Sequence, residues 1–180
     1  LTVDGVHYVS SVDNAWALDA RDGRVLWHYW WKTIGGTHIG NRGMGMRGNY
    51  VYFETPDNFL VSLDARTGEE RWHVAIASIA EQYFSTPAPI VVGNHVIVGT
   101  GNDLDAPGFL QSFDAETGEL QWKVYTVPMN PGDPGLETRK DLDAARHGGG
   151  NPWVPASDDP EPDLYIFGTG EPQPAYFSEL

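Results

Sequence analysis

Five short segments of this 180-residue chain carry side chains with more chemistry than a surface turn requires. Asn41-Arg42-Gly43 puts a planar guanidinium at a strand entrance, where it can grip a carboxylate through two parallel hydrogen bonds. A surface arginine after a turn is the plainer reading of the same residues. Ser85-Thr86-Pro87-Ala88-Pro89 and Gly99-Thr100-Gly101-Asn102-Asp103 offer hydroxyls, and Gly101 permits close approach of a ligand. A strand end turning through glycine would need that same residue. Gly148-Gly149-Gly150-Asn151-Pro152-Trp153 presents a large rigid π-face on a glycine-rich loop, which suits a flat ligand. Gly168-Thr169-Gly170-Glu171 adds a carboxylate, as Asp103 does, although solvated loop acids are common in an acidic chain. His38 and His147 lie close to these segments, but no histidine pair has metal-ligand spacing. No phosphate-binding loop, dinucleotide fingerprint or nucleophile elbow is present.

The elements that must position these residues come from a repeat. The phrase Asp-Ala-x-x-Gly-x-x-x-Trp starts at Asp19, Asp64 and Asp114, within the segments 17–27, 62–72 and 112–122. The intervals are 64 − 19 = 45 and 114 − 64 = 50 residues, the size of one four-stranded propeller blade. The Asp carboxylate can accept backbone N–H groups across a turn, and Gly23, Gly68 and Gly118 supply its positive φ. Trp27, Trp72 and Trp122 then sit at equivalent places in the next strand, and are expected to fill the space between blades. An opening strand precedes each phrase, at Val6–Val9, Tyr50–Phe53 and His95–Val98, and a fourth copy is Leu164–Phe167. The fold class expected is all-β: a propeller of four-stranded antiparallel blades, of which residues 1–180 hold about three and a half. No such number closes a ring, so the chain reads as a piece of a longer protein. The stretch 125–162, rich in Pro and Gly with a short helix near 138–146, reads as a loop over a site.

Composition excludes several classes. Eleven Lys+Arg against 25 Asp+Glu give a net charge of −14, which would repel a phosphate backbone and argues against nucleic-acid binding. No apolar run is long enough to span a bilayer. Cysteine is absent, so disulfides, thiolate zinc sites and covalently attached c-type haem are all excluded, and electrons would leave on a separate carrier.

Taken together, the four segments at 41–43, 85–89, 99–103 and 148–153 with 168–171 resemble the eight-bladed quinoprotein alcohol dehydrogenases, over essentially all 180 residues. That resemblance implies an enzyme that oxidises an alcohol by hydride transfer to pyrroloquinoline quinone (PQQ), with a separate cytochrome-type acceptor and a periplasmic location. It implies that Arg42, Thr86, Thr100, Gly101, Asn102 and Asn151 contact the cofactor, and that Trp153 forms the floor on which it stacks. It also implies a metal, Ca²⁺ or a lanthanide, held by Asp103 and Glu171, where the family usually has Glu and Asn; Asp105 could replace Asp103 if the register slips by two. Gly36-Thr37 stand where many members carry adjacent cysteines. No catalytic residue is assigned, because the family's presumed base, an aspartate, would lie beyond Leu180; the 180-residue piece alone is therefore expected to be inactive. The alternative is a non-catalytic propeller scaffold sharing the blade repeat. Such a protein has no reason to combine Arg42, Gly101–Asp103 and Gly148–Trp153.

Overall fold

A computed structural model describes residues 1–35, 40–101 and 105–171. Three four-stranded antiparallel sheets follow one another along the chain. The first contains β1 (Thr2–Val3), β2 (Val6–Ser11), β3 (Asn14–Asp19) and β4 (Val25–Trp30). The second contains β5 (Gly45–Arg47), β6 (Tyr50–Glu54), β7 (Phe59–Asp64) and β8 (Glu70–Ala75). The third contains β9 (Ile90–Val92), β10 (His95–Gly99), β11 (Phe109–Asp114) and β12 (Leu120–Tyr125). A two-stranded sheet, β13 (Ser157–Asp159) with β14 (Leu164–Ile166), begins a fourth unit. In each complete sheet the spatial order equals the chain order, as expected for propeller blades, and β5, β9 and β13 touch in series along the inner side. The expected all-β architecture is therefore present.

One detail differs from the sequence reading. The runs taken as opening strands are second strands, each preceded by an inner strand of two or three residues. Gly45-Met46-Arg47 and Ser157-Asp158-Asp159 carry no apolar alternation, so nothing in their composition marks them as strands. The tight turns into the second strands pass through Gly5, Gly48, Gly93 and Asp163, all at positive φ.

The repeated phrase is the hairpin between the third and fourth strand of each blade. Asp64 Oδ1 accepts the Arg66 and Thr67 N–H groups at 2.8 and 3.0 Å, and Asp114 Oδ1 accepts those of Glu116 and Thr117 at 2.8 and 3.0 Å. These bonds favour the ionised carboxylates and hold both below the usual carboxylate range. Asp19 is pushed further down, chiefly by the Arg21 side chain closing onto it. A register shift at the same place in all three blades lets the strand bend after the turn.

The tryptophans sit between blades, and their partner is the phrase glycine of the following blade. A Cβ at Gly68 would lie 2.7 Å from the Trp27 ring, and one at Gly118 would lie 2.9 Å from the Trp72 ring. Trp27 also donates Nε1–H to Ala65 O at 2.9 Å. The second blade is thus buried on both faces. Val51, Phe53, Val61 and Leu63 pack against Tyr8, Ala15, Ala17 and Trp27, while Tyr52 and Leu60 pack against Val96, Val98, Phe109 and Phe113. This explains why β6 and β7 read as nearly continuous apolar runs rather than alternating ones. Trp122, with no later phrase beside it, is 38% exposed.

The unequal repeat intervals have one source. The β6–β7 connection has four residues, 55–58, and the β10–β11 connection has nine, 100–108. The difference, 9 − 4 = 5, equals 50 − 45, so the whole excess falls in the hairpin that carries Thr100 and Gly101.

Gly23 and Gly68 share a φ near 75°, yet nothing lies within 4 Å of a Cβ at Gly23. Both Gly→Ala changes should therefore cost about 1 kcal/mol for the backbone. Gly68→Ala should cost about 1–3 kcal/mol more for the clash with Trp27. Chemical denaturation of the two variants checks this; equal losses would refute the interblade role.

Candidate functional site

The long connection after β12 leads back to the inner ends of the blades. It contains a 3-10 turn, Leu136–Thr138, and a short α-helix, α1 (Leu142–Arg146), capped by Asp141, whose carboxylate accepts Ala144 N–H at 2.8 Å. His147 follows, exposed, with Nδ1 2.7 Å from Asp105 Oδ1. That hydrogen bond and the charge of Asp105 raise its pKa above the ordinary histidine value. His147 thus ties the loop to the β10–β11 hairpin. His38 lies outside the described residues.

The glycine run then packs against blade three. Gly149 bridges Pro107, Gly108 N–H reaches Gly149 O at 3.0 Å, and Thr126 Oγ1 donates to Gly150 O at 2.6 Å. A Cβ at Gly108 would lie 2.4 Å from Gly150 O. These glycines allow close backbone packing against Pro107 and Gly108, just before β11, and against Thr126, just after β12. Beyond them Pro152 lies on Gly99, where a Cβ would come within 2.1 Å of the Pro152 carbonyl oxygen.

This arrangement brings the described site residues together. The Arg42 guanidinium carbon stands 4.7 Å from the centre of the Trp153 ring, a cation–π distance. Arg42 donates from its backbone N and from Nη1 to Thr86 O, at 3.1 and 3.3 Å. Thr86 Oγ1 donates to Trp153 O at 3.4 Å. Asn151 is buried, and its carbonyl accepts Trp153 N–H at 3.1 Å and Gly170 N–H at 2.8 Å. Gly170 lies against the Trp153 indole, which places the exposed Glu171 next to this cluster. Trp153 is 41% exposed, unlike the buried Trp27, with Arg42 lying over its ring and Gly170 against its pyrrole edge.

Thr100 and Gly101 follow directly from the Gly99–Pro152 contact. Thr100 is fully buried, and its Oγ1 has no hydrogen-bond partner among the described residues. Gly101 pairs with Phe84: its N–H donates to Phe84 O at 2.8 Å, and Phe84 N–H returns to Gly101 O at 3.1 Å. The Gly101 N–H is therefore engaged, and the close approach that this glycine allows is that of the Phe84 ring, 2.3 Å from where its Cβ would be. Asn102 and Asp103 lie outside the described residues, as do Gly36 and Thr37. Among the described residues no three acidic or histidine side chains cluster as a metal centre. No helix among the described residues is long and apolar enough to cross a membrane. A separate cavity of about 360 Å³, lined by Tyr83, Asp105, Lys123 and Tyr125 among others, includes none of the predicted site residues except the alternative ligand Asp105.

Two supporting residues escaped sequence reasoning. Asn41 holds the arginine arm in place: its Nδ2 donates to Glu54 O at 2.8 Å, and its Oδ1 accepts Gly43 N–H at 2.8 Å and the Ser10 hydroxyl at 2.5 Å. Glu54 is completely buried at the end of β6, where its carboxyl is pushed well above the usual range by burial. An acid closing an apolar strand run was the only available signal.

The profile of the family described as "PQQ: Glucose/ethanol/alcohol dehydrogenase, beta-propeller domain" matches residues 1–179, and the chain belongs to that family. It is 38% identical over 191 residues to the quinohemoprotein alcohol dehydrogenase ADH IIB of Pseudomonas putida, covering 95% of this chain and 27% of that protein. Among solved structures, it matches the quinohemoprotein alcohol dehydrogenase ADHIIG of Pseudomonas putida HK5 with a TM-score of 0.82 and 32% identity, over 95% of this chain and 28% of that one. A europium-containing methanol dehydrogenase matches with a TM-score of 0.83 and 27% identity, over 96% and 34%. The chain spans about a third or less of the length of each of these relatives.

Gly99→Ala should displace Pro152 and, with it, the adjacent indole. The expected outcome is a shift in tryptophan emission and a stability loss of about 1–3 kcal/mol. An unchanged spectrum and denaturation midpoint would contradict the packing described.

Proposed function

We propose that the protein carrying this chain is a PQQ- and metal-dependent dehydrogenase that oxidises an alcohol in the periplasm and passes the electrons to a separate cytochrome-type acceptor. The observation that carries this reading is the convergence of Arg42, Thr86 and the partly exposed Trp153, supported by membership of the family. The residues fit a flat, anionic cofactor. The buried Thr100 hydroxyl has no protein partner among the described residues, which is the state expected of a group kept for a ligand.

Within that reading each residue has a physical task. Trp153 provides the stacking floor, held from behind by Asn151 and Gly170. Arg42 uses Nη1 on Thr86 O and keeps its remaining guanidinium N–H groups for a cofactor carboxylate. Thr86 and Thr100 offer hydroxyls to the rim and Asn151 an amide, and by resemblance Asn102 would contact the cofactor as well. Gly101 closes the wall through Phe84. Asp103 and Glu171 are hard oxygen donors that would hold a calcium-like ion, and their two charges, where the family has one, would suit a lanthanide as well. When bound, the quinone supplies a two-electron acceptor and the cation polarises its carbonyl.

The test is titration of PQQ into the full-length protein with Ca²⁺ or La³⁺ while tryptophan emission is followed. Saturable quenching that requires the metal is expected. Trp153→Ala and Arg42→Lys should each weaken binding about tenfold, through loss of the stacking face and of the bidentate fork respectively. Unchanged emission with no metal dependence would favour a non-catalytic scaffold. Trp153→Ala binding as tightly as the parent would remove the stacking assignment.

A further inference from the structure

Glu54 is a buried carboxyl group that the preceding assignments leave without a task. It occupies the last position of β6, on the face shared with Tyr50 and Tyr52, which turns towards blade three. It is fully buried, and neither carboxyl oxygen has a hydrogen-bond partner among the described residues. The Ser85 hydroxyl is beside it but donates to Asn58 Oδ1 at 3.1 Å, so it supports an ionised Glu54 only weakly. Among the described residues no cation forms an ion pair with Glu54.

The surrounding titratable groups do not compensate. Tyr52 and Tyr83 commit their hydroxyls to Ala115 O and Pro107 O, at 3.0 and 2.7 Å. Asp57, in the following turn, accepts from Trp31 Nε1, Ile34 N and the Thr55 hydroxyl. Tyr165 on β14 is raised by burial and then by the nearness of Glu54, which marks the fourth unit as close to this carboxyl. Of the two arginines that precede Glu54 most closely, Arg47 pairs with Glu116, and Arg42 is exposed and turned to Thr86 and Trp153. An isolated carboxylate in such surroundings loses far more hydration energy than it regains, so the group keeps its proton.

Three parts of the cleft meet at this residue. Its backbone carbonyl anchors Asn41, which fixes the turn carrying Arg42. Its side chain lies beside Ser85, the residue before Thr86. Its charge would reach β14, just before the Gly168–Glu171 segment. We propose that Glu54 is a positioning residue that stands behind the cleft as a neutral carboxylic acid, and that the cleft accepts an anionic ligand only while Glu54 is uncharged. The ligand part rests on the quinone reading above, since PQQ carries three carboxylates. An ionised Glu54 would repel them through a medium of low dielectric and would disturb the Ser85–Thr86 and Asn41–Arg42 turns by seeking water.

The test uses the full-length protein and Glu54→Gln, which keeps the shape and cannot ionise. Difference infrared spectroscopy of the cofactor-free protein should show a protonated carboxyl C=O band near neutral pH that is missing from E54Q. The sign of the stability effect follows from the raised folded-state value. The neutral acid favours folding fully below the unfolded glutamate value of about 4.3, and this advantage is lost as pH rises through the folded value. The denaturation midpoint of E54Q should therefore gain on that of the parent as pH rises above the unfolded glutamate value. For PQQ, parent affinity should fall up to about tenfold per pH unit above the Glu54 value, while E54Q lacks that component. A carboxylate band only, or parallel pH profiles of stability and PQQ affinity, would overturn the inference. Failure of both proteins to bind PQQ at any pH would sink the quinone reading and the ligand half with it, while the infrared and stability data would still decide the state of Glu54.

Discussion

The cleft depends on one steric fact: Gly99 has no side chain, and Pro152 occupies the place where one would be. That contact fixes the loop end against the third blade, with Asn151 on one side and Trp153 on the other. From there the hydrogen bonds run outward, from Asn151 O to Gly170 N and from Thr86 to Trp153 O. Each such bond contributes only about 1 kcal/mol net. Their precision comes from the excluded volume beneath them, since a close-packed contact leaves the loop few other positions.

The same device, an aromatic or cyclic side chain laid on a bare Cα, holds the blades in register. Trp27 rests on Gly68 and Trp72 on Gly118, so every hairpin glycine after the first has two duties. One is the backbone conformation of its own turn. The other is the packing of the preceding blade, which no reading of the turn alone would reveal.

This divides what was legible in the chain from what was not. The hairpin phrase is local chemistry, so the Asp carboxylates, their glycines and the interblade place of Trp27 and Trp72 could be read directly. The inner strands could not, because Gly45-Met46-Arg47 is defined by neighbours and not by its own pattern. Arg42 and Trp153 are 153 − 42 = 111 residues apart, and no spacing rule joins them. Their meeting was expected only through resemblance to a family, and the geometry then supplied Asn41 and Pro152 as the residues that place them. The packing of the glycine run against Pro107, Gly108 and Thr126 was equally hidden, because those partners lie 24 or more residues away in the chain. Glu54 was illegible because a strand-ending glutamate normally reaches solvent, and only the arrangement of three segments around it removes that option.

The five additional residues in the β10–β11 hairpin have a consequence for how such a ring can change. Because that hairpin absorbs the entire difference in repeat length, the glycine–indole stacking on either side is indifferent to it. That hairpin can lengthen or shorten while the blade framework keeps its pitch. The molecule thus separates a fixed chassis from an editable tip, and an engineer could vary that single hairpin without touching the glycine–indole contacts.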